Sequence, residues 1–222
     1  MPGPGELIAL MELEREQEQQ VAASLTAAER ETDGTLEQPS VKDRFAHAVG
    51  AKWHMHDALI AHQNGQEPHP AHDREAIFRA NAGRPFGELE NDAARVAEAL
   101  VADVRALDAT RLAAAPPWIH EATLADEVIQ QCGTHGMVLM LEVMCERGEA
   151  DDARRAQVAF VEALPADTSP LQRSRALYNL ACLAVRCGRE NDAAVALADA
   201  LRLRPALVEH VRDDPDLAPL RR

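Results

Sequence analysis

Glu14 and Glu18 stand four residues apart among Leu7, Leu10, Met11, Val21 and Leu25, which recur at helical spacing. A helix through this stretch sets both carboxylates on its apolar stripe. Such carboxylates can be pocket groups facing a cavity, but a frayed or solvated stretch of a charged helix is the expected reading. A second group is the histidine cluster His54, His56, His62, His69 and His72. Clustered imidazoles can gather transition metals, but no Cys or carboxylate completes an ordered set, and His69 and His72 lie among Pro and Gly, so solvated loop histidines are expected. Cys132, Cys145, Cys182 and Cys187 make no Cys-x-x-Cys pair and read as reduced, packed thiols. The chain has no His-Glu-x-x-His, no Gly-x-Ser-x-Gly, no phosphate-binding glycine loop and no dinucleotide fingerprint, which removes most hydrolase, kinase and dehydrogenase readings.

The elements that must position these groups are helices. Ala, Leu, Glu, Arg, Asp and Val dominate while aromatics are 3% of the 222 residues, which favours an all-α chain. The first helical stretch is expected from about residue 6 to 30. Pro39-Ser40 supplies a stop and an N-cap for a second, over about 41–63, which is weakly charged on both sides and therefore sits between neighbours. A short helical piece is expected near 74–80, and a regular amphipathic helix over about 86–107. Thr123 can cap a fourth helix, inside which Gly133 and Gly136 mark either a weak point or a close-contact face.

The formal net charge of −14 argues against a nucleic-acid or anionic-membrane partner, since both demand clustered Lys and Arg. The opening Met1-Pro-Gly-Pro-Gly-Glu has neither a basic end nor an apolar run, so a cytoplasmic protein is expected.

Gly148 and Gly188 each open a Gly-x-x-x-Asp-Ala phrase, and each phrase is followed at equal distance by proline, Pro165 and Pro205, a repeat of forty residues. Small residues let antiparallel helices approach, Gly permits the turn, and Pro stops the hairpin. The second copy, with Leu177, Leu180, Ala181, Ala184, Ala193, Leu197 and Ala200, resembles a tetratricopeptide repeat. The first copy has Gln157 in place of Leu197 and Phe160 in place of Ala200, an adapted unit. Two hairpins are too few to bury a continuous core, so they must lean on the helix before them and on a capping tail. Tyr178-Asn-Leu-Ala-Cys182 followed by Asp213-Asp-Pro-Asp-Leu217 resembles the terminal unit of bacterial tetratricopeptide proteins. The resemblance implies a groove for a peptide or protein partner, lined by Tyr178, Asn179 and Arg175.

Ser40-Val-Lys-Asp-Arg-Phe-Ala-His47, with Glu75-Ala-Ile-Phe-Arg-Ala-Asn81 and Arg84-Pro-Phe86, resembles the DinB-like four-helix bundles, especially the ClbS/DfsB branch, over about residues 5–147. The expected organisation is therefore a bundle over 1–147 and hairpins with a cap over 137–222, the fourth bundle helix being shared. Metal-binding members of that superfamily use a helix-two histidine and two ligands four residues apart on helix four. His47 takes the first place and His135 one of the others, but the positions four away hold Gln131 and Leu139. No cofactor is therefore expected, with a divalent metal at His47 and His135 as the weaker alternative. The ClbS/DfsB branch implies instead a metal-free hydrolase that opens a strained electrophilic ring, as in self-resistance, or a related thiol transferase. That resemblance assigns His47, His54, His135 and Glu14 to catalysis and Trp53, Gln131 and Glu18 to binding of a small-molecule ligand. The competing expectation is a non-enzymatic scaffold working through the tetratricopeptide-like groove.

Overall fold

The computed structural model describes residues 1–68, 73–119, 121 and 123–221; His69 and His72 lie outside the described residues. The chain is all-α, and no strand occurs among the described residues. It divides into two compact units, residues 2–140 and residues 141–222 together with Met1. No helix among the described residues is long and apolar enough to cross a membrane.

The first unit begins with α1 (Pro4–Ser24) and the short α2 (Ala27–Glu31). The single stretch expected over 6–30 is thus broken at Leu25, and the cause is local. Thr26 Oγ1 accepts from the Glu29 amide while Glu29 accepts from the Thr26 amide, a capping box that starts a new helix. The Arg30 guanidinium donates to the Ala22 carbonyl and so satisfies the end of α1.

Next come α3 (Val41–Gln63), α4 (Arg74–Asn81) and α5 (Phe86–Arg105). Another capping box, Ser40 with Asp43, opens α3, and Asp43 also accepts from the Gly34 amide, which ties the preceding loop to the helix start. After α6 (Ala109–Ala113), α7 (Leu124–Ile129) passes through a π turn (Gln130–Thr134) into α8 (His135–Glu146). The π turn packs on both α1 and α3, and α5 packs on α1 and α3. Leu7, Leu10, Met55, Leu59, Leu100 and Ile129 are almost wholly buried in this core.

The second unit contains α9 (Ala150–Ala163), α10 (Pro170–Arg186), α11 (Glu190–Leu203), α12 (Leu207–Asp213) and a 3-10 tail (Pro215–Arg221). The repeated phrase has the same backbone at both copies. Gly148 and Gly188 adopt φ of 81° and 68°. Their amides donate to Cys145 and Val185, and the next amides, Glu149 and Arg189, donate to Met144 and Ala184. Each copy is a Schellman ending with glycine in the left-handed position. Ala153 and Ala193, five residues later, are fully buried.

The departures between the copies also have a physical role. Gln157 is buried and its amide donates to the Ala176 carbonyl of α10 at 2.9 Å, a bond that a leucine there could not make. The tail packs on α10 and α11, with Leu217 fully buried in a cluster with Tyr178, Leu197 and Leu207.

Because Gly188 needs positive φ, Gly188→Ala is expected to cost ~1 kcal/mol, read as a lower urea midpoint. Gly87→Ala, on α5 where an added Cβ meets nothing, is expected to gain about 0.5 kcal/mol.

Candidate functional site

The chain has twenty-one arginines and only two lysines, and both lysines are buried, Lys42 at 4% and Lys52 at 2% exposure. Lys42 pairs with Asp33 and donates to the Arg84 carbonyl, which pins the entry to α3. Lys52 sits in the middle of α3 and reaches α1, where its Nζ lies 2.8 Å from Glu14 Oε2 and 3.0 Å from Glu18 Oε1. Glu14 and Glu18 are each 2% exposed, so the solvated stretch expected there is corrected: Lys52 holds both carboxylates inside. The i, i+4 spacing on α1 therefore points both carboxylates at one ammonium, inside the core.

One ammonium cannot neutralise two carboxylates, and this sets the protonation of the group. Burial pushes the Glu14 carboxyl up to about 7; Lys52 opposes that and Glu18 adds to it. Burial alone would lower Lys52, but the attraction of Glu14 and Glu18 more than offsets it and holds the ammonium above the ordinary lysine range. A charged lysine beside a carboxyl raised toward neutrality can exchange a proton, whereas a lysine held protonated is a poor Schiff-base nucleophile.

The π turn completes the surroundings. Cys132, Gly133 and Thr134 within it are buried, and the Glu14 carboxyl lies against Gly136, one residue into α8. A Cβ at position 136 would fall 2.9 Å from the Glu14 carboxyl carbon and closer still to Oε1. Only glycine leaves that space. Glu14 Oε1 has no hydrogen-bond partner among the described residues. The Cys132 thiol, pushed up to about 12 chiefly by burial, stays protonated and is a poor nucleophile.

These groups border a cavity of about 260 Å³ between α1, α3, α5 and the π turn. Glu14, Lys52 and Cys132 line its inner end, Glu12, Arg15, Glu98 and Arg105 add charged side chains, and Met11, Leu100 and Val101 supply an apolar wall. Arg15 lines this cavity and also a second one of about 270 Å³ farther along α1 and α5, where Glu18 and Phe45 contribute. The buried triad thus meets two cavities, Glu14 at one and Glu18 at the other.

The other expected site residues lie off this wall. His47 and His135 are brought together, their rings edge to face with centroids 5.1 Å apart, but neither lines the cavity. The Gln131 amide donates to Glu127 at 2.9 Å. Trp53 is half-buried, edge to face with His56 and within 6.0 Å of the Arg95 guanidinium. His54 is half-buried on the same helix. His56 makes a 2.6 Å hydrogen bond with Asp103 of α5. Among the described residues no group of three His, Cys, Asp or Glu side chains is placed to hold a metal ion.

In the second unit Tyr178 is buried, its hydroxyl donates to Asp214 of the tail segment, and burial with that bond raises its pKa. Arg186 pairs with Asp216 at 2.7 Å, and Asn179 is half-buried. The tail therefore covers the face that Tyr178 would offer to a partner.

Lys52 is the site residue that sequence reasoning missed. The scarcity of lysine was the available signal: where arginine serves nearly every other basic position, a lysine inside an apolar helix needs a buried partner.

Lys52→Met is expected to cost ~3–5 kcal/mol by leaving two buried carboxylates unpaired, measured by urea unfolding; adding Glu14→Leu and Glu18→Leu restores most of the loss. The Glu14 value is raised on folding, so its contribution to stability is full below about pH 4.5 and is lost as pH rises to about 7. The stability difference between wild type and Glu14→Gln is expected to fall by on the order of 3 kcal/mol across that window, and a flat difference would refute the assignment. No protein-family model, curated protein or solved structure matches this chain.

Proposed function

We propose that the first unit is a DinB-like domain that binds a small electrophilic molecule in the cavity beside Glu14 and transforms it by proton transfer, without a metal. The observation that carries this reading is a buried carboxyl raised to near neutral pKa beside a charged lysine, both of them lining a cavity. Lys52 holds Glu14 in place and keeps the net charge of the triad at zero while Glu14 carries its proton.

The reaction that fits is hydrolytic opening of a strained ring. Glu14 gives its proton to the ring heteroatom, water forms a bond to the adjacent carbon as the ring bond breaks, and the water's surplus proton returns to Glu14. The sum is addition of one water. The apolar wall of Met11, Leu100 and Val101 holds the body of the molecule.

The repeated hairpins we read as tetratricopeptide-like, serving the protein as a packed C-terminal unit. A scaffold role through their groove draws less support, because the tail occupies the Tyr178 face.

The test is a panel of small epoxides and related three-membered rings, followed by the mass gain of one water. Wild type is expected to accelerate opening of at least one member, and Glu14→Gln to lose roughly 10²–10⁴-fold of that rate. Equal rates for wild type and Glu14→Gln would remove Glu14 from the reaction, and no acceleration across the panel would remove ring hydrolysis.

A further inference from the structure

The triad has an unmet electrostatic demand. Two carboxylates, each 2% exposed, share one ammonium, and the donors of that ammonium already reach both. When both are ionised the group carries one surplus negative charge in a medium that stabilises charge poorly. Glu14 Oε1, buried against Gly136, has no hydrogen-bond partner among the described residues, and the Glu14 side chain also lines the first cavity. We infer that this cavity takes a compact organic molecule bearing a basic nitrogen, which as an ammonium pairs with Glu14 and supplies the missing positive charge. The inference rests on the reading of the cavity as a ligand site and names the class of molecule it admits.

Three features define that class. The volume, about 260 Å³, lies just under the ~300–1,000 Å³ of sites for drug-sized ligands, so the molecule is small. The apolar wall of Met11, Leu100 and Val101 favours a hydrocarbon body. The charge of the triad selects the head: an anion would place a third negative group beside Glu14 and Glu18, and a neutral hydroxyl would leave the surplus charge in place. A neutral amine entering while Glu14 is protonated reaches the same state, because the proton passes from the carboxyl to the nitrogen. In a strained ring containing that nitrogen, the same transfer activates the ring towards water.

The groups facing Glu14 set the pH response. Lys52 faces it from α3, Glu18 from its own helix and Cys132 from the π turn; Glu12 and Arg15 of α1 and Glu98 and Arg105 of α5 border the same cavity. Lys52 stays charged and Cys132 stays neutral through the neutral range, which leaves Glu14 as the group that titrates there. Ammonium binding requires ionised Glu14, so affinity rises with pH through about 7.

The experiment is calorimetry of the full chain with three probes of one shape: cyclohexylmethylamine, cyclohexylmethanol and cyclohexanecarboxylate. At about pH 8 the amine is expected to bind at least tenfold more tightly than the alcohol, with no binding of the carboxylate. Amine affinity is expected to fall about tenfold between about pH 8 and pH 6, with uptake of close to one proton by the buffer at the lower pH. In Glu14→Gln the advantage of amine over alcohol disappears. Should that variant not fold, the probe comparison and the pH series in wild type decide alone. Equal binding of amine and alcohol, or an amine affinity independent of pH, overturns the basic-nitrogen inference and leaves the cavity a ligand site. Binding of none of the three overturns both.

Discussion

The first unit depends on a constraint of charge: Lys52 must find its carboxylates before the core can close. An ammonium buried alone is too costly to tolerate, and so is either carboxylate, so α1 and α3 have to meet in the one register that places Glu14 and Glu18 around Nζ. Apolar packing between Leu7, Leu10, Met55 and Leu59 tolerates small slips between helices, whereas three charged groups do not. The triad therefore restricts the registers in which α1 and α3 can pack. Gly136 and the π turn extend the same constraint to a third helical segment, since that segment must present a residue without a side chain at the carboxyl. A π turn inserts one residue into a helix and rotates the helical turns beyond it, and turns of this kind recur at functional sites.

The second unit solves a different problem. Its two hairpin turns share one backbone solution at Gly148 and Gly188, but the helices after them are not interchangeable. Phe160 and Ala200 occupy equivalent places and are both fully buried. Gln157 is a polar residue at a core position, tied to the Ala176 carbonyl, and α12 with the tail takes the place of a third hairpin.

Much of the fold was legible in the residues, because caps and periodicity are local signals. Ser40 with Asp43 fixed the start of α3, and the apolar spacing from Leu89 to Val104 fixed α5. The division at Thr26 carried an equally local signal, Thr26-Ala-Ala-Glu29, which the long apolar stripe obscured. For the site, the pairing of Glu14 with Glu18 on an apolar stripe was readable, while its meaning depended on a partner thirty-four residues beyond Glu18, and no periodicity reports a contact of that range. The π turn was visible only as Gly133, because glycine in a helix indicates weakness without saying how the backbone resolves it. The histidines drew attention by residue type, yet burial and net charge, not the number of imidazoles, decide which side chains can hold a proton in reserve.

The near-absence of lysine has a consequence for how the molecule meets chemical modification. With Lys42 and Lys52 both inside, the folded chain offers acylating reagents and lysine-modifying enzymes no side-chain amine. Either amine becomes reactive only when the helices around it separate, so the rate of its acylation follows the opening equilibrium of the first unit. The two lysines are in effect an internal clock for the breathing of the core, readable without any added label.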